Sequence, residues 1–340
     1  MNLYLGFSRC SSSRIPWTSM RLWSWYSPVP FFLLLAMAPN VASVGMGFSG
    51  HWKLDPALSR RVLATSSAPK LTFPNVNRLQ LQFHYPASLE ENDHKLPAAS
   101  FAALLAATPN LKSLELREVP GLGPEHLSLP YGLTSLVLID TRVTGPAFEH
   151  IVDTCFGLKR LCAYSYGGLG DDPDDSNLAA HRLALLSKTT IASRLQTLVL
   201  SSTVLSPGPP AVMEKFSDLK VLGIRYAFKR RSEFEKNLEK DLLVDLVKDC
   251  PSLRGLLVAG AFRISSLALT RFATAVSKKQ FPNLRQVKLV CRLEHWEKQQ
   301  CVVTAPISEL FRAGNVELVL GTHKYEGTAQ LVEEMEKACM

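Results

Sequence analysis

The stretch CPSLRGLLV (residues 250–258) sets a pattern that returns in TPNLKSLEL (108–116), FPNLRQVKL (281–289) and FPNVNRLQL (73–81). In each, a proline and a polar residue lead into the hexad L-x-x-L-x-L or its apolar equivalent. A single hexad suits any half-buried strand. Aligned on it, the chain shows a register. The first apolar position falls at Val76, Leu111, Leu133, Leu158, Leu195, Leu219, Leu253 and Leu284, spaced 22–37 residues apart. The second falls at Leu79, Leu114, Leu136, Leu161, Leu198, Leu222, Leu256 and Val287. The third is Leu81, Leu116, Leu138, Ala163, Leu200, Ile224, Val258 and Leu289. A degenerate ninth copy is VELVL (316–320).

A second signal recurs between the hexads. Phe101, Leu104, Leu105 and Thr108 stand at i, i+3, i+4, i+7. So do Phe148, Ile151, Val152 and Cys155; Leu243, Leu246, Val247 and Cys250; and Leu269, Phe272, Ala273 and Val276. That spacing is one face of a helix. Helix, tight turn and short strand therefore repeat as a unit. The proline ends the helix, because it lacks an N–H and disfavours the helical region for the residue before it. No single unit can bury its apolar face alone, so the units stack.

These hexads resemble those of the leucine-rich repeat superfamily over roughly residues 71–320. The resemblance implies an α/β solenoid: a curved parallel sheet of short strands, helices on the convex side, and irregular repeats. The asparagine or cysteine that this family carries after the third leucine is mostly absent. The connections after Leu116 and Leu200 are too short, or too rich in Gly and Pro, for a full helix. Starts of the form C-P-x-L and F-P-x-L are similar to the helix-bearing intracellular class found in F-box proteins. The F-box itself is not found. LDPALSRRVL (54–63) resembles its opening, yet the chain passes almost directly into the first repeat.

The expected layout is a leader over 1–53, a linker or N-terminal cap over 54–70, repeats over 71–320 and a C-terminal cap helix over 321–340. Residues 1–53 contain no Asp or Glu and include the apolar run FFLLLAMA (31–38). That run is too short for a membrane span, which needs about 20 residues. It fits the apolar region of a secretory signal, an organellar transit peptide or a disordered leader. In the body no asparagine lies in an N-x-S/T sequon, and the cysteines read as buried thiols. A cytoplasmic or nuclear location is favoured, with secretory or organellar targeting as the alternative. No membrane association is expected of the repeat body.

Much of the +8 net charge sits in the first 70 residues, where Asp55 is the only acid. The remainder is near balance, so no nucleic-acid partner is expected. The seven cysteines are scattered, without a CxxC pair. Cys291, His295 and Cys301 are too loosely spaced for a metal site, and no cofactor motif is present. GFSG (47–50) lacks the last glycine of a nucleophile elbow, and GGLG (167–170) is neither a dinucleotide fingerprint nor a P-loop. His150 and Asp153 read as a helix-surface pair, so no catalytic residues are assigned. GDDPDDSN (170–177) does not match a calcium loop and reads as a solvated loop. KRRSEFEKNLEK (229–240) reads as a solvated helix face.

In the implied solenoid, residues flanking the inward leucines point to the concave surface, by strand alternation. Val137, Ile139, Val199 and Leu257 would be apolar there. Arg117, Arg160, Tyr164 and Arg225 are residue types favoured in interface hot spots, and Lys288 adds charge. The expected function is a non-enzymatic interaction scaffold that takes a protein partner in this groove. The alternatives are the substrate-recognition subunit of a cullin-type ubiquitin ligase with a missing or truncated F-box, and a secreted or membrane-associated repeat protein. Partner identity and oligomeric state are not encoded in any motif.

Overall fold

A computed structural model describes residues 4–7, 19–24, 40–49, 72–84, 98–119, 121–127, 129–141, 143–164, 184–201, 210–226, 236–238, 241–260, 262–291, 303–322 and 328–339. The runs 31–38, 54–63, 167–170 and 170–177 lie outside them, as do His295 and Cys301. The chain divides into two compact units, Met1–Leu158 and Lys159–Met340. Each is an α/β body on a sheet that is parallel except for the first strand pair of the first unit.

In the first unit the strands are β1 (Tyr4–Phe7), β2 (Ser19–Ser24), β3 (Ser43–Ser49), β4 (Arg78–His84), β5 (Ser113–Arg117) and β6 (Ser135–Ile139), neighbours in that order. β1 and β2 are antiparallel, and the pairings from β2 to β6 are parallel. Hexad positions meet like with like: Leu79 pairs Leu114, which pairs Leu136, and Leu81 pairs Leu116, which pairs Leu138.

The sheet begins upstream of residue 71. Val44 pairs Leu79 and Met46 pairs Leu81, so Val41, Val44 and Met46 occupy the three hexad positions, all buried. This strand lies inside the span read as a leader. The reason is physical: a valine or methionine fills an inward position as well as leucine does, so a leucine-based pattern passes over it.

The second unit contains β7 (Arg160–Tyr164), β8 (Thr197–Ser201), β9 (Val221–Tyr226), β10 (Lys236–Leu238), β11 (Gly255–Gly260), β12 (Phe262–Ile264), β13 (Gln286–Cys291) and β14 (Glu317–Thr322). The main sheet runs β7-β8-β9-β11-β13-β14, parallel throughout, while β10 and β12 pair apart from it. Residues 236–238 are thus strand rather than helix, because pairing with β12 overrides a local helical charge pattern. The ninth hexad is real strand: Leu318 pairs Val287 and Leu320 pairs Leu289. Leu320 stays 43% exposed on this last strand.

The four proline-led repeats start with the same turn. The N–H of the first hexad residue donates to the carbonyl three positions before it: Val76 to Phe73, Leu111 to Thr108, Leu253 to Cys250 and Leu284 to Phe281, at 3.0–3.2 Å. Proline is the second residue of that turn, where its preset φ is needed. Just before each strand, one carbonyl then accepts two N–H groups from the next repeat. Asn77 receives Lys112 and Ser113 at 2.8 and 2.9 Å, and Lys220 receives Arg254 and Gly255 at the same distances. Each new repeat satisfies backbone groups that the previous one leaves open, which is why repeats add in register.

The helices of the first unit are α1 (Ala98–Ala106) and α2 (Gly145–Thr154); those of the second are α3 (Leu242–Lys248), α4 (Ser266–Ser277), α5 (Ala305–Ala313) and α6 (Thr328–Cys339). Thr144 and Ser265 cap α2 and α4 through their hydroxyls. All four apolar stripes read from the sequence are buried. Phe272 of α4 meets Phe281 and Phe311, each with ring centroids 5.8 Å apart, joining α4 to α5 and to the next turn. After Leu116 and Leu200 the described residues of the connections carry 3-10 turns, Pro124–His126 and Pro210–Lys215.

Candidate functional site

Along each strand the hexad residues face one way and the residues between them the other. In the second unit the other face is built of three rungs. One runs Arg160, Thr197, Val221, Gly255, Gln286, Glu317. The next runs Cys162, Val199, Gly223, Leu257, Lys288, Val319. The third holds Tyr164, Arg225, Ala259 and Val290. Apart from Arg225 the centre of the face is mostly apolar, with Arg160 on one side of it and Lys288 on the other.

It is also closed to solvent. Cys162, Tyr164, Val199, Val221, Arg225, Leu257, Ala259 and Val290 are each no more than 4% exposed. The Arg225 guanidinium lies 5.6 Å from the Tyr164 ring centroid, a cation–π pair inside the fold. Residues read as an open groove are therefore interior residues.

What lies on the middle of the face is α6. It packs most extensively on β11, then on β9 and β13. Val332, Met335 and Cys339, at i, i+3 and i+7, are fully buried, while Gln330, Glu334, Lys337 and Ala338 are exposed. The seat is made by glycine. A Cβ at Gly255 would stand 2.8–2.9 Å from Met335 Cγ, Met335 Sδ and Cys339 Sγ. One strand away a Cβ at Gly223 would stand 2.9 Å from the Val199 methyls. A side chain at Gly255 would fill the notch that the helix occupies, whereas one at Gly223 would press on Val199. Fully burying a valine or methionine side chain contributes roughly 1.5–3 kcal/mol.

Charges fix the helix laterally. Glu334 and Glu336 lie about 200° apart around the helix axis and flank Met335. Glu336 Oε1 accepts from Arg160 Nε at 2.9 Å, and Glu334 Oε2 accepts from Lys288 Nζ at 2.9 Å. At the helix C-terminus the carbonyl of Cys339 accepts from Arg254 Nη1 at 3.0 Å, a cation at the negative end of the helix dipole. The hydrogen bond from Lys288, helped by its charge, holds the Glu334 carboxyl below its ordinary pKa, against the opposing effect of burial. Burial pushes the Cys339 thiol up, with Arg285 and Arg254 opposing.

In the first unit Arg117 is half-buried and engages Glu115 through Nε. Glu115 also lies 3.9 Å from Arg78 and accepts from Gln80 at 3.2 Å. Val137 and Ile139 are buried. The nine residues read from the sequence thus divide: Arg117, Val137 and Ile139 belong to the first unit. Arg160, Tyr164, Val199, Arg225, Leu257 and Lys288 share one face of the second. The residues that sequence reasoning missed are Val332, Met335, Cys339, Glu334 and Glu336. Their signal was present as a short apolar stripe with acids beside it.

Other candidates resolve into structure. His150 Nε2 lies 3.0 Å from the carbonyl oxygen of Leu127, a local contact. Cys155 and Cys250 are buried thiols at the ends of α2 and α3, pushed up to about 11 and about 12 by burial, and so protonated at neutral pH. Among the described residues no group of three or more His, Cys, Asp or Glu is placed to hold a metal, and no helix is long and apolar enough to cross a membrane. No known family model matches the chain, and no curated protein matches it.

Proposed function

We propose that this chain is a non-enzymatic interaction scaffold of the leucine-rich repeat type, which takes a protein partner on the sheet face opposite its hexad leucines. The observation that carries the reading is the seating of α6 on that face. A surface notched at Gly255, with Arg160 and Lys288 at its sides, holds an amphipathic helix by its i, i+3, i+7 stripe, which is how helix-in-groove recognition works. The register of eight hexads and the shared turn support the repeat assignment. Cys155 and Cys250 support a non-catalytic role, being buried and protonated.

The test is site-specific photo-crosslinking in the native cell, with the crosslinker placed in turn at Lys288, at Arg160 and at Arg271 on the exposed side of α4. A partner identified by mass, captured from the first two positions and rebound as a purified protein, is the expected result. Capture from Arg271 alone would overturn the reading. Cullin adaptor subunits among the captured proteins would bring this chain to the ubiquitin-ligase alternative.

A further inference from the structure

α6 does not complete the sheet beneath it. β9, β11 and β13 are each hydrogen-bonded to strands on both sides. Among the described residues no backbone–backbone hydrogen bond joins α6 to them. The helix is held by three buried side chains, two ion pairs and one arginine on its last carbonyl. A helix of 12 residues is marginal by itself, so its order depends on that docking. Yet the seat at Gly255 cannot stand open, because the apolar surface that Met335 and Cys339 cover there would then meet water. Whatever displaces α6 must replace both its apolar stripe and its acids.

We infer that α6 is a built-in stand-in for the partner, and that the partner presents an amphipathic helix with acidic flanks. This inference rests on the proposed function, since it names the ligand class for the same face. The charges argue for it directly. The basic groups around the notch, Arg160, Lys288 and Arg254, meet Glu336, Glu334 and a helix C-terminus, and the one charged strand residue between Arg160 and Lys288 on this face is a further cation, the buried Arg225. A basic or phosphate-seeking ligand finds no complement there. The tethered helix competes at an effective concentration in the millimolar range, so the intact chain is a latent binder.

The test uses the full chain and a fluorescein-labelled peptide of residues 328–340 as probe, read by anisotropy. Met335→Glu sets a charge against the notch at Gly255 and frees α6. The freed chain is expected to bind the wild-type peptide at least about tenfold more tightly than the intact chain does. Lys288→Glu in the freed chain is expected to lose that gain, and a peptide carrying Glu334→Lys to restore it. Where Met335→Glu fails to fold, Glu334→Lys with Glu336→Lys frees the helix without altering its apolar stripe and takes its place.

A freed, folded chain that ignores the peptide overturns the inference, as does one that binds a peptide with both acids reversed equally well. A dimer exchanging α6 between copies, seen by sedimentation, overturns it too, the occupant then being a second chain. A crosslinked partner that binds intact and freed chains alike removes the stand-in role and leaves the proposed function in place. Peptide binding by the freed chain, with the cellular partner captured only from Arg271, removes the proposed function and leaves the docking chemistry.

Discussion

Asn283 Nδ2 donates to the carbonyl of Pro251 at 2.8 Å, and Asn110 Nδ2 donates to the carbonyl of Pro74 at the same distance. Each bond joins the start of one repeat to the start of a preceding one, so the polar residue after the proline works between repeats. Both bonds are exposed, which places Asn283→Ala and Asn110→Ala at the low end of the range for a hydrogen bond, about 0.5–1 kcal/mol each. Because the two sites lie in different units, the losses should add. Urea denaturation of the two single variants and the double variant checks both statements.

Gly255 is where α6 comes closest to the sheet. In Gly255→Val the new side chain claims the space of Met335 and Cys339. The sheet stays intact, since valine favours a strand. The expected outcome is an unchanged far-ultraviolet spectrum apart from α6, and much faster alkylation of Cys339. Unaltered protection of that thiol would show that the notch does not position the helix.

The two ion pairs of α6 should not count equally. Arg160 and Glu336 are 19% and 13% exposed, whereas Glu334 is 47% exposed. An exposed pair contributes roughly 0.2–1 kcal/mol, and a hydrogen bond to a charged group away from water about 1.5–3 kcal/mol. Glu336→Ala is therefore expected to raise hydrogen exchange in α6 severalfold more than Glu334→Ala does. Added salt should weaken the Glu334 pair and leave the Glu336 pair nearly unchanged.

The pH dependence has two limbs. Glu334 has a pKa below its ordinary 4.5, so its contribution is present above that value and is lost as pH falls through the lowered one. α6 should loosen in acid, and Lys288→Met should flatten that limb. Cys155 and Cys250 have pKa values raised from 9.0 to about 11 and about 12. Above pH 9 the unfolded chain releases these protons and the folded chain keeps them, so stability falls as pH rises from 9 towards 12. Cys250→Ala should lessen the alkaline fall while costing stability at pH 7.

The repeating unit was readable from residues alone. Leucines at fixed spacing, the i, i+3, i+4, i+7 stripes of α1 to α4 and the proline-led starts each report a local period, and local periods follow from backbone geometry. Two kinds of feature were not readable in this way. Strand β3 carries its hexad as Val41, Val44 and Met46, and β10 hides a strand under helical charge spacing; pairing with β4 and β12 decides both. The candidate site was legible as a row of residues and not as a surface. Which part of this face is covered at Gly255 depends on where α6 comes to rest. That is settled by contacts such as Arg160 with Glu336, 176 residues apart, and by the absence of a side chain at Gly255. Sequence by itself determined the period, and hence the strands and helices. Only tertiary structure decided which face is covered, because docking depends on shape and charge brought together from distant parts of the chain.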